Sequence, residues 1–251
     1  MQQDAQELLN YLLNEVAEVV KKRQKLNQKR AGGPPSSSNE KTWVHDIFQG
    51  VLDNETRCLE CETVTRRKED FLDLSLEVEP NTSVSGCVRK FCKVETLANS
   101  DKFFCDTCNG LQEAQKRIQV NQLPYCLALH LKRFKFNEEM GRFMKISARV
   151  VFPLQLRVPI RSGEATEGPE VFYRLYAVIV HIGRDPNHGH YVCYVNSHDH
   201  WLLFDDDEVK VVKDMDLQHV FGTTKKNAGV TETGYILFYQ QEKRGAPSPY
   251  V

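Results

Sequence analysis

Apolar residues recur at every third or fourth position near the start of this chain. From about residue 70 onward they mostly alternate with polar ones. Residues 4–22 carry Ala5, Leu8, Leu9, Leu12, Leu13, Val16, Val19 and Val20, the i, i+3, i+4 spacing of an amphipathic helix. Asp4 and Glu7 stand as in a capping box, with Asp4 able to accept from the Glu7 amide. This helix is predicted to fray into the basic run Lys21 to Arg30. Residues 31–40, Ala-Gly-Gly-Pro-Pro-Ser-Ser-Ser-Asn-Glu, are too polar and broken to pack, so 27–41 reads as a flexible surface loop. Trp43 to Val51 reads as a short ordered lead-in, and 83–92 as a short helix. Period-two alternation over 71–78, Phe-Leu-Asp-Leu-Ser-Leu-Glu-Val, marks a half-buried strand. Segments 52–58, 61–68, 113–120, 127–134, 173–182, 190–195, 201–205, 208–212 and 234–240 also read as strands. The predicted fold class is α+β, with helices toward the N-terminus and an antiparallel sheet behind them.

Composition narrows the function classes. The chain has 251 residues, 41% of them hydrophobic and 27% charged, which suits one globular domain with a sizeable core. Net charge is −1, so nothing pulls the whole chain toward nucleic acid or an anionic membrane. No apolar run approaches the roughly 20 residues that span a bilayer, and the start lacks the apolar core of a secretory signal.

Two features carry chemistry. Cys58-Leu-Glu-Cys61 and Cys105-Asp-Thr-Cys108 form two C-x-x-C knuckles. Each can turn two thiolates toward one metal, and together they fill a tetrahedral zinc site with no open position, a structural site. Without a secretory signal this pairing points to metal ligation in a reducing, intracellular compartment, cytoplasm or nucleus. A nucleic-acid zinc ribbon is a rival reading, weakened by the neutral charge and the long insertion between the knuckles. The second feature is Gly189-His190-Tyr191 followed by Leu202-Leu203-Phe204-Asp205-Asp206-Asp207. A histidine on one strand and a carboxylate on the next can meet as base and orienter, the arrangement that activates a thiol. Cys193 lies three residues after His190, an odd spacing that turns the two side chains to opposite faces of a strand.

These motifs occur in a telling order: Gln2-Gln3-Asp4-Ala5-Gln6-Glu7-Leu8, both knuckles, His130-Leu131-Lys132-Arg133-Phe134, Gly189-His190-Tyr191, Trp201-Leu202-Leu203-Phe204-Asp205-Asp206 and Gly234-Tyr235-Ile236-Leu237-Phe238-Tyr239. Together, over roughly residues 2–240, they resemble the ubiquitin-specific protease family, the papain-like deubiquitinases. Trp43 to Gly50 and Leu202 to Asp207 are similar to the branch that contains ubiquitin carboxyl-terminal hydrolases 12 and 46. The resemblance implies thumb helices, an antiparallel palm and zinc-ribbon fingers. It maps a partial thumb to 1–50, mostly fingers to 51–125, the palm to 126–240 and a tail to 241–251. It implies His190 as general base, Asp205 as its orienter and Asp206 as a supporting neighbour. It further implies Asp4 and Glu7 as contacts for the basic tail of ubiquitin, and the four knuckle cysteines as zinc ligands. Residues 183–189, and the turn near 137–144, look like loops that close over that tail. The branch implies WD-repeat β-propeller activators, and no nucleic-acid or membrane partner.

The family's nucleophilic cysteine, at the start of a helix with an Asn just ahead, has no counterpart in this sequence, which opens inside the family's next motif. Cys87, Cys92 and Cys126 read as packing residues. The chain as given is therefore expected to be a fragment with an incomplete thumb, without isopeptidase activity of its own and with apolar surface on the helix at 5–20 and on the palm strands exposed or repacked. The alternative is a ubiquitin-binding module that is not an enzyme.

Overall fold

A computed structural model describes residues 3–30, 41–160, 170–186, 188–224 and 231–242. The first helix, α1, runs over Ala5–Arg30. The Asp4 carboxylate caps it, accepting from the Gln6 amide at 2.7 Å and the Glu7 amide at 3.4 Å. The expected fraying at Lys21 does not occur, and residues 27–30 are helical rather than loop. The reason is local: Lys, Arg and Gln are good helix formers, and Lys29 and Arg30 sit at the negative end of the helix dipole. The rest of the predicted loop, 31–40, lies outside the described residues.

α1 buries little. Ala17 is its one fully buried residue, while Leu8, Tyr11, Leu12, Val16, Val19 and Leu26 are exposed. Its docking is partly polar: Gln6 and Asn10 donate side-chain N–H groups to the Asp73 carboxylate, Asn10 at 2.8 Å. Of the two outcomes expected for this face, exposed or repacked, the helix shows the exposed one. Two shorter helices follow, α2 over Trp43–Phe48 and α3 over Val84–Phe91.

The main sheet is built in the order Glu208–Val212, His200–Asp205, His188–Ser197, Glu170–Asp185, Glu232–Gln241, Cys126–Lys132 and Asp73–Glu77, with Gln155–Pro159 added against Glu170–Asp185. Every pairing in it is antiparallel except the last strand, Asp73–Glu77, which runs parallel to Cys126–Lys132. This strand lies in the stretch read as mostly fingers and pairs with Cys126–Lys132 in the main sheet. Its alternation explains why: Leu74 and Leu76 need the palm core, where they are buried with Leu127, Leu129, Leu131, Leu156, Tyr173, Leu237 and Tyr239. α3 adds Val84, Cys87 and Val88 to the same core.

A second, antiparallel sheet joins Val64–Phe71, Gly50–Cys58, Ala114–Gln122 and Glu95–Leu97. Leu52 and Val120 link it to the main core. Farther out, the nearly buried Glu55 is clamped by Arg66 at 2.9 Å and Arg117 at 2.8 Å, one from each neighbouring strand. Two guanidinium groups on one carboxylate compensate its desolvation where no apolar layer is available.

Arg133 locks the far end of the palm. It is fully buried and donates Nε to the Gly234 carbonyl at 2.7 Å, Nη1 to the Ile146 and Ala148 carbonyls at 2.9 Å each, and Nη2 to the Phe221 carbonyl at 3.3 Å. Burial lowers its pKa to about 10, so the guanidinium stays charged. A planar fork with five donors can satisfy four carbonyls on three segments at once, which a lysine cannot do.

Candidate active site and metal centre

The antiparallel register sets Cys193 opposite Phe204, so the first residues of one strand stand beside the last residues of its neighbour. That brings His190, third in His188–Ser197, against Asp205, last in His200–Asp205. His190 Nε2 and Asp205 Oδ1 are 2.6 Å apart. The chain then reverses at Asp206 and Asp207, since Asp205 pairs with Glu208, and Asp206 takes a positive φ of 49°. Aspartate tolerates that left-handed conformation better than most residues. Asp206 places a carboxylate oxygen within 4.8 Å of the pair, adding negative charge without a hydrogen bond to the ring.

The pKa of His190 is raised, first by its hydrogen bond to Asp205 and further by the charges of Asp206 and Asp205. Both side chains of the pair remain 42% exposed, so solvent screens the attraction. With Nε2 held by Asp205, the free ring nitrogen is Nδ1, and this atom is available to a thiol.

All eight cysteines lie within the described residues, and none partners His190. Cys193 is turned to the other face of its strand, and burial pushes its thiol up to about 11. Cys126 lies 3.0 Å from the Tyr176 hydroxyl and is likewise pushed up to about 11 by burial. Burial also raises Cys87 and Cys92. These four are poor nucleophiles, as packing cysteines are.

The remaining four form a cluster. Cys58 ends one strand, Cys105 ends another, and Cys61 and Cys108 sit in the following turns. Each knuckle is closed by a residue at positive φ, Glu62 after Cys61 and Asn109 after Cys108. The sulfurs are 3.9 Å apart for Cys58–Cys108 and 3.6 Å for Cys61–Cys105, and all four lie within 4.8 Å of one another. These gaps exceed a disulfide bond of about 2.05 Å. They match the edge of a sulfur tetrahedron around an ion with metal–sulfur bonds of about 2.3 Å, which is about 3.8 Å. The thiols are also unequal. Hydrogen bonds from Thr63 lower Cys61 to about 6, whereas Cys61 and its neighbours push Cys108 up to about 12. Once one thiol ionises it holds back the next, a conflict that a bound dication removes.

A cavity of about 770 Å³ opens beside α1, with Asp4, Glu7, His130, Tyr235, Phe136 and Phe143 among its walls. Both predicted tail contacts, Asp4 and Glu7, therefore face one space. The second oxygen of Asp4 accepts from the Tyr235 hydroxyl, so this carboxylate is more committed than the cap alone would make it. The predicted loop 183–189 is largely strand: Glu170–Asp185 and His188–Ser197 form a hairpin whose tip brings Pro186 to the cavity rim. Residues 137–144 turn between the strands Phe134–Asn137 and Arg142–Lys145, with Gly141 at φ 61°.

The sequence places His130 in a motif but assigns it no role, and it marks no role for His181 or Lys145. His130 Nδ1 lies 2.9 Å from the Ser75 hydroxyl, its ring stands edge-on to Tyr235, and burial lowers its pKa. His181 is fully buried beside Lys145, and burial followed by the Lys145 charge lowers its pKa to about 4. The only signal in the chain was the histidine itself within an apolar strand.

The two histidines act oppositely on stability. His190, with its pKa raised, stabilises the fold at low pH, and its contribution fades as pH rises through the folded value. His181, with its pKa depressed, costs stability as pH falls from about 6.5 toward about 4, because the unfolded chain takes up a proton that the folded one refuses. The full effect is on the order of 3 kcal/mol. Urea melts of His181→Phe should show a shallower loss of stability over this acid range than wild type. An unchanged slope would contradict the assignment.

Comparison with known proteins agrees with this architecture. The family description "Ubiquitin carboxyl-terminal hydrolase" matches residues 1–239. Ubiquitin carboxyl-terminal hydrolase 4 of Arabidopsis thaliana is 48% identical over 96% of the chain and 70% of its own length. Ubiquitin carboxyl-terminal hydrolase 12 of Salmo salar is 51% identical over 96% of the chain and 67% of its own length. Among solved structures, the SAGA module of Ubp8, Sgf11, Sus1 and Sgf73 bound to ubiquitin aldehyde aligns with a TM-score of 0.74 at 26% identity, covering 96% of this chain. The same module bound to monoubiquitin gives 0.73 at 27%. The chain spans about half the length of those solved chains. With its fold, its paired histidine and aspartate and its relatives in agreement, the chain belongs to the ubiquitin carboxyl-terminal hydrolase family of ubiquitin-specific proteases.

Proposed function

We propose that this chain carries the base, the orienting carboxylate and the tail-binding cleft of a thiol-dependent deubiquitinase, and that the nucleophilic thiol is not among its eight cysteines. The observation that carries the reading is the 2.6 Å contact between His190 and Asp205 at a strand end, with Nδ1 left for a thiol. His190 takes the thiol proton there and later gives it to the departing lysine amine, while Asp205 stabilises the imidazolium between the two steps. The thiolate attacks the carbonyl of ubiquitin's last glycine, and water then cleaves the thioester with His190 as base. Asp206 supports the site by charge. Asp4 and Glu7 supply negative charge to a cleft suited to a basic, glycine-ended tail. The solved relatives bound to ubiquitin aldehyde and to monoubiquitin support ubiquitin as the ligand.

A ubiquitin–fluorophore assay and a calorimetric titration with ubiquitin test this together. The 251-residue chain should bind ubiquitin without turning over the fluorophore. Turnover that survives purification and disappears in His190→Ala would place a working nucleophile inside the chain and overturn the proposal. The second reading, a binding module that is not an enzyme, draws on the same absence of a thiol partner. It prevails if a chain given a thiol beside His190 still binds without cleaving.

The four-cysteine cluster fits zinc by donor type and by its sulfur tetrahedron, and in this reading it holds the tip of the finger sheet. Elemental analysis should find one zinc per chain in wild type and none in a Cys58→Ser/Cys105→Ser double variant. Another metal, or a metal-free chain with intact fingers, would contradict this. An intracellular setting, read from the C-x-x-C pairs, and activation by WD-repeat β-propeller proteins, which rests on family likeness, belong to the same proposal. Faster turnover by a thiol-bearing form on adding such a protein would check the activator.

A further inference from the structure

Lys145, the last residue of Arg142–Lys145, buries its ammonium between two strands of the palm. It lies 2.9 Å from His181 Nδ1, donates to the His181 carbonyl at 2.7 Å, and donates to the Thr231 carbonyl just ahead of Glu232–Gln241. The Thr231 carbonyl also accepts from the Gly183 amide at 3.2 Å. One cation thus gathers His181, Thr231 and, through Thr231, Gly183 near the tip of the hairpin that carries His190.

His181 transmits this hold. Its ring fills the notch beneath Gly183 and Gly189, the two glycines that face each other across the hairpin. A Cβ at Gly189 would lie 2.6 Å from His181 Nε2 and 2.4 Å from the Ile182 carbonyl oxygen. A Cβ at Gly183, whose φ is 153°, would lie 2.9 Å from His181 Cε1 and 2.5 Å from the His188 carbonyl oxygen. The strand backbones therefore rest directly on the imidazole, and Gly189 is the residue before His190. Phe134 and Tyr191 wall the ring edge-on at 5.2 and 5.0 Å. Nδ1 faces the Lys145 ammonium, so the ring proton sits on Nε2, which is buried and has no hydrogen-bond partner among the described residues. Lys145 is thus the hydrogen-bond anchor of a ring that is otherwise held by packing alone.

We propose that Lys145 is a positioning residue for the histidine–aspartate pair: by holding His181 and Thr231 it sets the imidazole on which Gly183 and Gly189 rest, and so fixes where His190 meets Asp205. The inference rests on the functional reading above for its meaning, though not for its geometry. The charged groups around the cluster are Arg133 from the end of Cys126–Lys132, Glu232 from the last strand, Asp4 at the start of α1 and Asp185 at the hairpin tip. Burial, then the Arg133 charge, lowers Lys145 to about 7, opposed by Glu232; the three acceptors are what hold the ammonium in place.

The test is an imidazole NMR titration of the 251-residue chain as wild type, Lys145→Met and Lys145→Gln. Val158→Ala, a core change in a strand remote in sequence, controls for lost stability alone. In Lys145→Met the His190 pKa should fall toward its ordinary value, and the downfield proton shared with Asp205 should broaden or vanish. Lys145→Gln, which keeps a donor for one carbonyl, should show a smaller shift in the same direction. Val158→Ala should melt earlier and leave His190 unchanged. If Lys145→Met does not fold, the Gln variant decides alone. A folded variant at position 145 with a wild-type His190 titration and an intact Asp205-bound proton would overturn the proposal, as would an equal change in Val158→Ala. Ubiquitin affinity measured on the same wild-type sample separates the two ideas: absent binding sinks the functional reading, while the link from Lys145 to His190 stands or falls on the titration.

Discussion

The register between His188–Ser197 and His200–Asp205 is the constraint on which the active end of this protein depends. Side chains on a strand alternate, so a slip of one residue would turn Asp205 away from His190 and set Asp206 or Phe204 in its place. Buried Val192, Tyr194 and Trp201 prevent the slip, because it would move them out of the core. The contact between His190 and Asp205 is thus a by-product of apolar packing that pins two strands. The same alternation turns Cys193 to the other face of its strand, away from that pair.

Around this register the polar groups do structural work that apolar packing cannot. Arg133 satisfies four carbonyls where a strand of the main sheet meets two segments outside it. Glu55 draws two arginines across the finger sheet, and the four-cysteine cluster shapes its tip. In each case a multivalent polar centre joins segments from different parts of the chain at one point.

The parts of this architecture that follow a period could be read from the sequence. The palm strands alternate, the C-x-x-C knuckles have fixed spacing, and Gly189-His190-Tyr191 with Leu203-Phe204-Asp205 marks two strand ends. What did not follow a period was lost. The last turns of α1 look like a basic loop because solvated Lys and Arg say nothing of what they pack against. The parallel edge strand Asp73–Glu77 has the same alternation as an antiparallel one, so its direction and its sheet were invisible. Nothing in the sequence marks Lys145, and His181 is one residue of a predicted strand. Their contact is a matter of tertiary placement, spanning residues 145, 181 and 231.

The central claim is that the imidazole at 190 is tuned by the carboxylate at 205, and the most direct measurement is the His190 pKa in wild type and in Asp205→Asn. The account predicts a raised value in wild type that drops once the charge on residue 205 is removed, with the strand register unchanged by amide cross-peaks. A His190 that titrates identically in both proteins would contradict it.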